Sequence, residues 1–370
     1  MRVLHISGAK GWGGNEQQMI FLFPELEKLA VENVVFGIKN SLLQQECQKL
    51  NVTFFEAKGK KLNKMINYRY LKDLVTQIKP DLIHLHTSDS LTVYAISDFL
   101  FKLNTQTIFS KKGMGSSSSF LSNLKYNYKG LSSIICVSSS VQSDLEKILD
   151  IKTKQKTVVI NDCVSVEIKN LEPTLDLRKQ FGITKDFKII GNIGNHSNAK
   201  DIPTFIQVVE EVIHRLKRTD IVFVQIGEFS KNTLHFKQLV KEKSLDKHIV
   251  FTDKIKNASS VLNQFDIFLM TSQREGGPTS VLEAMLIGTP VISTKVGVVS
   301  DVIQDGVNGF IAPIKDYKEL SKKIITLLDN SNSKAAFVEQ SKEIIKLNFT
   351  ASFIAKKTQE EYSRVINSKL

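Results

Sequence analysis

Two doubly wound α/β domains in tandem are what the sequence predicts, and three observations lead there. Short β-branched runs alternate with helix-length segments almost from end to end. The runs are continuously apolar rather than strictly alternating, the pattern of parallel strands covered on both faces. The alternation breaks near residues 165–186 and then restarts, and 370 residues suit two such domains.

In the first half, strands are expected at RVLHIS (2–7), NVVFGI (33–38), VTFF (52–55), DLIHLH (81–86), TQTIFS (105–110), SIICVS (133–138) and TVVI (157–160). Helical segments such as GNEQQMIFLFPELEKLA and SVQSDLEKIL separate them, giving repeated β-α-β units. The serine run Ser116–Ser119 after KKGMG reads as a loop. Residues 166–186 hold proline and many charges and read as a linker with a short helix. In the second half, strands are expected at KIIGNIG (188–194), DIVFVQIG (220–227), HIVF (248–251), FDIFLM (265–270), PVIST (290–294) and GFIAP (309–313). Beyond residue 314 only helical patterns remain. The last, from about 350, carries a stripe of Phe353, Ile354, Tyr362, Val365 and Ile366. The expected domains are therefore 1–165 and 187–349, with 166–186 between them and 350–370 as a final helix.

Composition narrows the function classes. Apolar residues make up 42% and charged residues 24%, the balance of a soluble globular protein, and a cytoplasmic location is expected. Cys47, Cys136 and Cys163 lack metal-ligand or redox spacing and are expected to be reduced and buried. The net charge of +12 favours anionic partners. Part of it lies in residues 57–74, where Lys58, Lys60, Lys61, Lys64, Arg69 and Lys72 accompany Met65, Ile66, Tyr68, Tyr70 and Leu71. That segment reads either as a solvated helix or as a surface in peripheral contact with an anionic membrane. The charge is otherwise diffuse and no base-stacking motif accompanies it, so nucleic-acid binding is not expected.

Three loops carry candidate chemistry. The first is TSQREGGPTSVLE, after the strand FDIFLM. Ligands of open α/β sheets bind off the carboxyl ends of strands. Gly276, Gly277, Pro278 and Thr279 place backbone N–H groups at a helix start, an anion site. Ser280 and Glu283 have capping-box spacing, and that alone accounts for Glu283. Glu275, ahead of two glycines, has no such structural task. Carboxylates beside a diphosphate suit a ligand with sugar hydroxyls on either side of it, Glu283 facing a ribose and Glu275 a transferred sugar.

The segment EGGPTSVLEAMLIGTPVISTKVGVVSDVIQDGVNGFIAP closely resembles the nucleotide-sugar motif of retaining GT-B glycosyltransferases of glycosyltransferase family four (glycosyl transferases group 1). The E-x7-E pair, the following Ala-Met, G-x-P-V-I and the DGVNGF loop all match, and the two-domain layout agrees. The resemblance implies two Rossmann-like domains facing across a cleft, with the final helix crossing back onto the first. It assigns Glu275 to the donor sugar and Glu283 to the ribose. In GNIGNHSNAKD (191–201) it implies that Gly194 and Lys200 hold the donor diphosphate. Asn195 stands where relatives carry arginine and is assigned to the donor as an N–H donor, and His196 is a candidate for the missing charge.

The remaining assignments fall in the first half. In HISGAKGWGGNEQQM (5–19), GGNE resembles the family's loop beneath the donor phosphates, so Gly14 is assigned to the donor and Trp12, Gly13 and Glu16 to the acceptor side. His84 and His86 share a strand face. A metal reading lacks a third ligand, Asp89 being a guess, so His86 is assigned instead to the reacting groups. Where relatives carry a further histidine this chain has Ser110, Lys111 and Lys112, and Lys111 is the candidate there.

The expected activity is transfer of a sugar, with retention, from a UDP- or GDP-sugar to a hydroxyl of a glycan or lipid-linked acceptor, in polysaccharide or lipopolysaccharide assembly. No metal and no cofactor beyond the donor are expected, and a monomer or weak dimer. The alternatives are a nucleotide-sugar epimerase of the same fold and a non-catalytic sugar-nucleotide or membrane-binding protein.

Overall fold

The computed structural model describes residues 1–115 and 119–368. Ser116, Ser117 and Ser118 of the predicted loop, and Lys369 and Leu370 of the predicted last helix, lie outside them. The chain divides into two compact units: Met1–Cys163 joined by the segment from Ala351, and Val164–Thr350.

The upstream unit is built on β1 (Arg2–Ser7), β2 (Glu32–Gly37), β3 (Thr53–Glu56), β4 (Leu82–Leu85), β5 (Gln106–Lys111), β6 (Ser133–Cys136) and β7 (Thr157–Val159). They form one parallel sheet in the order β3-β2-β1-β4-β5-β6-β7. Val3 of β1 and Leu82 of β4 are buried on one face of the sheet and Leu4, Ile6, Ile83 and Leu85 on the other, which explains the continuous apolar runs. Helix Ala351–Asn367 packs on helix Gly14–Lys28, burying Ile354, Ala355, Tyr362 and Val365. In the basic segment, helix Met65–Ile78 buries Leu71 and Leu74, while Met65 and Ile66 face solvent. All three cysteines are free and buried.

The downstream unit is built on β8 (Lys188–Ile193), β9 (Ile221–Ile226), β10 (Ile249–Thr252), β11 (Ile267–Met270), β12 (Val291–Thr294) and β13 (Phe310–Ala312). Their order is β10-β9-β8-β11-β12-β13, again parallel. Helices Tyr317–Asp329 and Ser331–Asn348 follow. The stretch read as a linker contains the expected short helix, Leu177–Phe181, capped by Asp176 and closed by Gly182 at φ +64°. Ile168, Leu177 and Ile183 are buried in the downstream core, so this stretch packs as part of that unit.

Both sheets reverse their strand order once, between β1 and β4 and between β8 and β11. At a reversal the flanking helices leave to opposite faces, opening a crevice at the strands' carboxyl ends. Among the described residues, no helix is long and apolar enough to cross a membrane.

Candidate functional site

At the downstream reversal, β8 runs into Gly194–Asp201 and β11 into Thr271–Pro278. The two loops are clasped. Gln273 N donates to Ala199 O (2.9 Å), Gln273 Nε2 to Asn198 O (2.6 Å), and Thr271 Oγ1 to Lys200 O (3.3 Å). Gly227 closes on the first loop so tightly that a Cβ there would lie 1.9 Å from Gly194 O. Gly297, at φ +52°, backs the second, where a Cβ would meet Gly276 O at 2.5 Å. Asp201, itself left-handed at φ +50°, caps helix Ile202–Glu210 by accepting from Thr204 N and Oγ1.

This clasp brings two predicted residues together. Lys200 Nζ lies 2.7 Å from Glu275 Oε1, with side chains only 22% and 14% exposed. Ser272 Oγ donates to the same oxygen at 2.7 Å. The Lys200 stem crosses Gly194, where a Cβ would fall 3.0 Å from its Cδ, so the small residue at 194 makes room for the cation. Lys200 is thus a held charge rather than a solvated lysine ahead of a helix.

Helix Thr279–Ile287 begins beside this pair. Its N-cap is Pro278, no side chain caps it, and Gly288 closes it at φ +95°. The capping box expected at Ser280 and Glu283 is therefore absent. Proline's fixed φ starts the helix at Thr279 and leaves Ser280 inside the first turn, so its hydroxyl cannot turn back as a cap. The N-terminal dipole and the N–H groups around Gly277, Thr279 and Ser280 remain available to an anion. Glu283 lies deeper along the helix. Its Oε2 accepts from Ser259 Oγ (2.8 Å), and burial raises its pKa against that bond.

His196 does not supply charge to the glycine loop. It is buried, with Nδ1 2.7 Å from Thr233 Oγ1 and Nε2 2.6 Å from Gln225 Oε1, among Phe229, Phe236 and Phe251. Burial in that aromatic pocket lowers its pKa and favours the neutral ring. Asn195 is exposed.

The upstream assignments other than Lys111 lie at the β1/β4 reversal, and Lys111 ends the neighbouring β5. Gly13 is the N-cap of helix Gly14–Lys28, and Glu16 in its first turn is buried, its pKa raised by desolvation against hydrogen bonds from the helix start. Trp12 is 42% exposed. Asn15 Nδ2 donates to His86 O (2.9 Å). Side chains alternate at the end of β5. Ser110 Oγ meets His84 Nε2 (2.8 Å), half-buried Lys111 lies 5.5 Å from the Tyr126 ring centre, and Lys112 Nζ is 2.5 Å from Asp162 Oδ1. Desolvation lowers the pKa of Lys111 and raises that of Asp162.

His84 and His86 have a third companion that sequence reasoning missed. His5 on β1 pairs in register with His84 on β4, and its Nδ1 lies 2.9 Å from His86 Nε2. Ligand nitrogens of the three lie within 4.8 Å of one another. The rings are nevertheless engaged by the protein: His5 Nε2 with Asn33 Oδ1 (3.0 Å) and His84 Nδ1 with Tyr362 Oη (2.6 Å). Burial depresses all three pKa values, His5 to about 4. Asp89, the guessed ligand, lies instead against Gly8, where a Cβ would fall 1.9 Å from its Oδ2. A polar residue inside a buried strand was the available signal for His5, but its partners depend on which strand lies alongside.

Residues 174–344 match the family described as "Glycosyl transferases group 1". N-acetyl-alpha-D-glucosaminyl L-malate synthase of Bacillus anthracis is 22% identical over 253 residues, 68% of this chain and 65% of that protein. O-antigen biosynthesis glycosyltransferase WclY of Escherichia coli is 26% identical over 211 residues, 57% of this chain and 54% of that protein. The matched stretch thus spans less than two thirds of these curated relatives. Anabaena HepE, solved in complex with UDP, superposes with a TM-score of 0.83 at 18% identity, over 98% of this chain and 100% of that one. The same protein solved with UDP-glucose gives 0.81. The chain has the GT-B fold, and the match of its downstream unit to glycosyl transferases group 1 supports a transferase enzyme.

Proposed function

We propose that the chain transfers a sugar, with retention of anomeric configuration, from a nucleoside-diphosphate sugar to a hydroxyl of a glycan or glycolipid. The observation that carries this reading is the Lys200–Glu275 pair beside the uncapped start of helix Thr279–Ile287. In the ligand-free protein these charges satisfy one another. A diphosphate at the helix start competes for Lys200, and the released carboxylate of Glu275 accepts from sugar hydroxyls. Glu283, whose pKa burial raises, is suited to a ribose hydroxyl rather than a cation. HepE was solved with UDP and with UDP-glucose, which favours a uridine donor over a guanosine one here.

In the proposed reaction the bond from the anomeric carbon to the β-phosphate oxygen breaks as the acceptor hydroxyl attacks from the same face. The departing diphosphate takes the acceptor proton. Lys200 and the amides from Gly277 to Ser280 stabilise its charge, which a helix dipole alone (~0.3–1 kcal/mol) does too weakly against barriers of ~8–23 kcal/mol. Gly14 is assigned to the donor, and Trp12, Gly13, Glu16, His86 and Lys111 to the acceptor and reacting groups.

Calorimetric titration with UDP and GDP tests the reading, followed by product analysis with the matching sugars and added acceptors. Lys200→Ala is expected to weaken nucleotide binding by roughly 10–150-fold, the equivalent of one charge-assisted hydrogen bond of about 1.5–3 kcal/mol. Unchanged affinity in that variant, or interconversion of the sugar without transfer, overturns the assignment.

A further inference from the structure

The loop that carries Gly194 and Asn195 is held from behind by a line of buried polar side chains. Gln225 interrupts the apolar run of β9 and is buried. Its Nε2 meets three oxygens: Gly194 O at 2.6 Å, Asn192 Oδ1 at 3.3 Å and Ile226 O at 3.3 Å. An amide nitrogen donates and does not accept, so these oxygens fix the orientation of the amide. Its Oε1 then faces His196 Nε2 at 2.6 Å and has to accept. His196 therefore carries its proton on Nε2. The unprotonated Nδ1 accepts from Thr233 Oγ1 (2.7 Å), and that hydroxyl oxygen in turn accepts from Ser230 N (2.9 Å). The donors run one way, from Thr233 through His196 and Gln225 to Gly194 O.

The backbone of the loop is tied to the same side. Gly194 N donates to Ile226 O (2.8 Å) and His196 N to Glu228 O (3.2 Å). This continues the every-second-residue ladder of β8 on β9, so the strand pairing is prolonged to residue 196. Ser230 Oγ closes the end by donating to His196 O (2.9 Å). Between the two tied amides, the Asn195 N–H meets no acceptor among the described residues. Gly194 C=O and Asn195 N–H belong to one planar trans peptide and point in opposite directions. Holding the oxygen inward on Gln225 therefore turns the N–H outward, beside the Lys200 stem that crosses Gly194. Glycine at 194 offers little resistance to rotation of this peptide, and a rotated peptide presents its oxygen to an anion instead.

We infer that His196 is a positioning residue for the donor diphosphate: through Gln225 it holds the Gly194–Asn195 peptide with its N–H turned toward the anion. The inference rests on the reading that a diphosphate binds at this loop. Calorimetric titration with UDP and GDP, together with nitrogen-15 spectra of the full chain, tests it. His196 is expected to show a protonated Nε2 and an unprotonated Nδ1. His196→Phe keeps a ring among Phe229, Phe236 and Phe251 but gives Gln225 no donor. It is expected to weaken nucleotide binding roughly 2- to 12-fold, the worth of one neutral hydrogen bond. His196→Gln restores an N–H for Gln225 and is expected to recover most of that affinity. If His196→Phe does not fold, Thr233→Val removes the hydroxyl that fixes the ring, and a smaller loss in the same direction is expected. A lowered melting temperature with unchanged affinity in the folded variants, no recovery in His196→Gln, or the opposite tautomer overturns the inference alone. A wild type that binds neither nucleotide overturns the diphosphate reading, and this inference with it.

Discussion

Lowering the pH is expected to destabilise the upstream unit through the cluster of His5, His84 and His86. The unfolded chain begins to protonate these rings near their ordinary value of 6.5, whereas burial holds His5 neutral to about 4. The unfolded state therefore binds more protons between those values. The stability from the neutral ring is complete above about 6.5 and is lost as the pH falls toward about 4. At about 1.4 kcal/mol per pH unit, His5 alone contributes about 3 kcal/mol over the whole range and about 2 kcal/mol by pH ~5. His84 and His86 act in the same direction. Glu16 and Asp162 of the same unit, whose pKa values are raised, act in the opposite one. The decisive quantity is therefore the difference between wild type and His5→Gln, which keeps a partner for Asn33 but cannot titrate. Urea unfolding at pH ~7.5 and ~5 should show a pH-dependent loss smaller in the variant by about 2 kcal/mol. Histidine proton resonances of the native protein should include three that do not titrate across this range. Equal pH dependence in the two proteins, or titration of His5 near 6.5 in the native state, refutes the reasoning.

Removing Lys112 leaves Asp162 buried without its cation. Lys112→Ala should cost about 3–5 kcal/mol in denaturant unfolding, and adding Asp162→Asn should recover part of it. Gly297→Ala forces a Cβ to within 2.5 Å of Gly276 O at a left-handed φ. A loss of about 1–3 kcal/mol in thermal unfolding is expected, with weaker nucleotide binding by calorimetry because the Glu275–Gly277 loop must shift. Ser259→Ala removes the hydroxyl that donates to Glu283. The carboxyl should then titrate higher still, moving the acidic limb of the activity profile upward in pH, and an unmoved limb would detach Glu283 from that titration.

Every strand among the described residues announced itself in the sequence, because a parallel strand covered on both faces reads as a largely apolar run such as IFLM. Helix starts were less legible. Ser280 and Glu283 have capping-box spacing, yet Pro278 opens the helix, and local spacing cannot weigh a proline's φ against a serine's hydroxyl. In the candidate site, Glu275 and Lys200 could each be singled out from their own loops, but their meeting depends on β8 lying beside β11. His196 looked like a spare cation because it follows a glycine and an asparagine; the phenylalanines that enclose it come from three separate places in the chain. His5 escaped notice for the same reason, its partners His84 and His86 being supplied by a distant strand and the turn after it.

The segment from Ala351 completes a unit whose other residues were made first. Ribosomal synthesis at ~5–20 residues per second keeps Tyr362 from His84 for on the order of tens of seconds. During that delay the nascent upstream sheet has one flank uncovered, while the downstream unit emerges with nearly all its contacts in hand. The later-made half is thus positioned to fold first, and premature termination just before Ala351 should yield a well-formed downstream half tethered to a chaperone-dependent one.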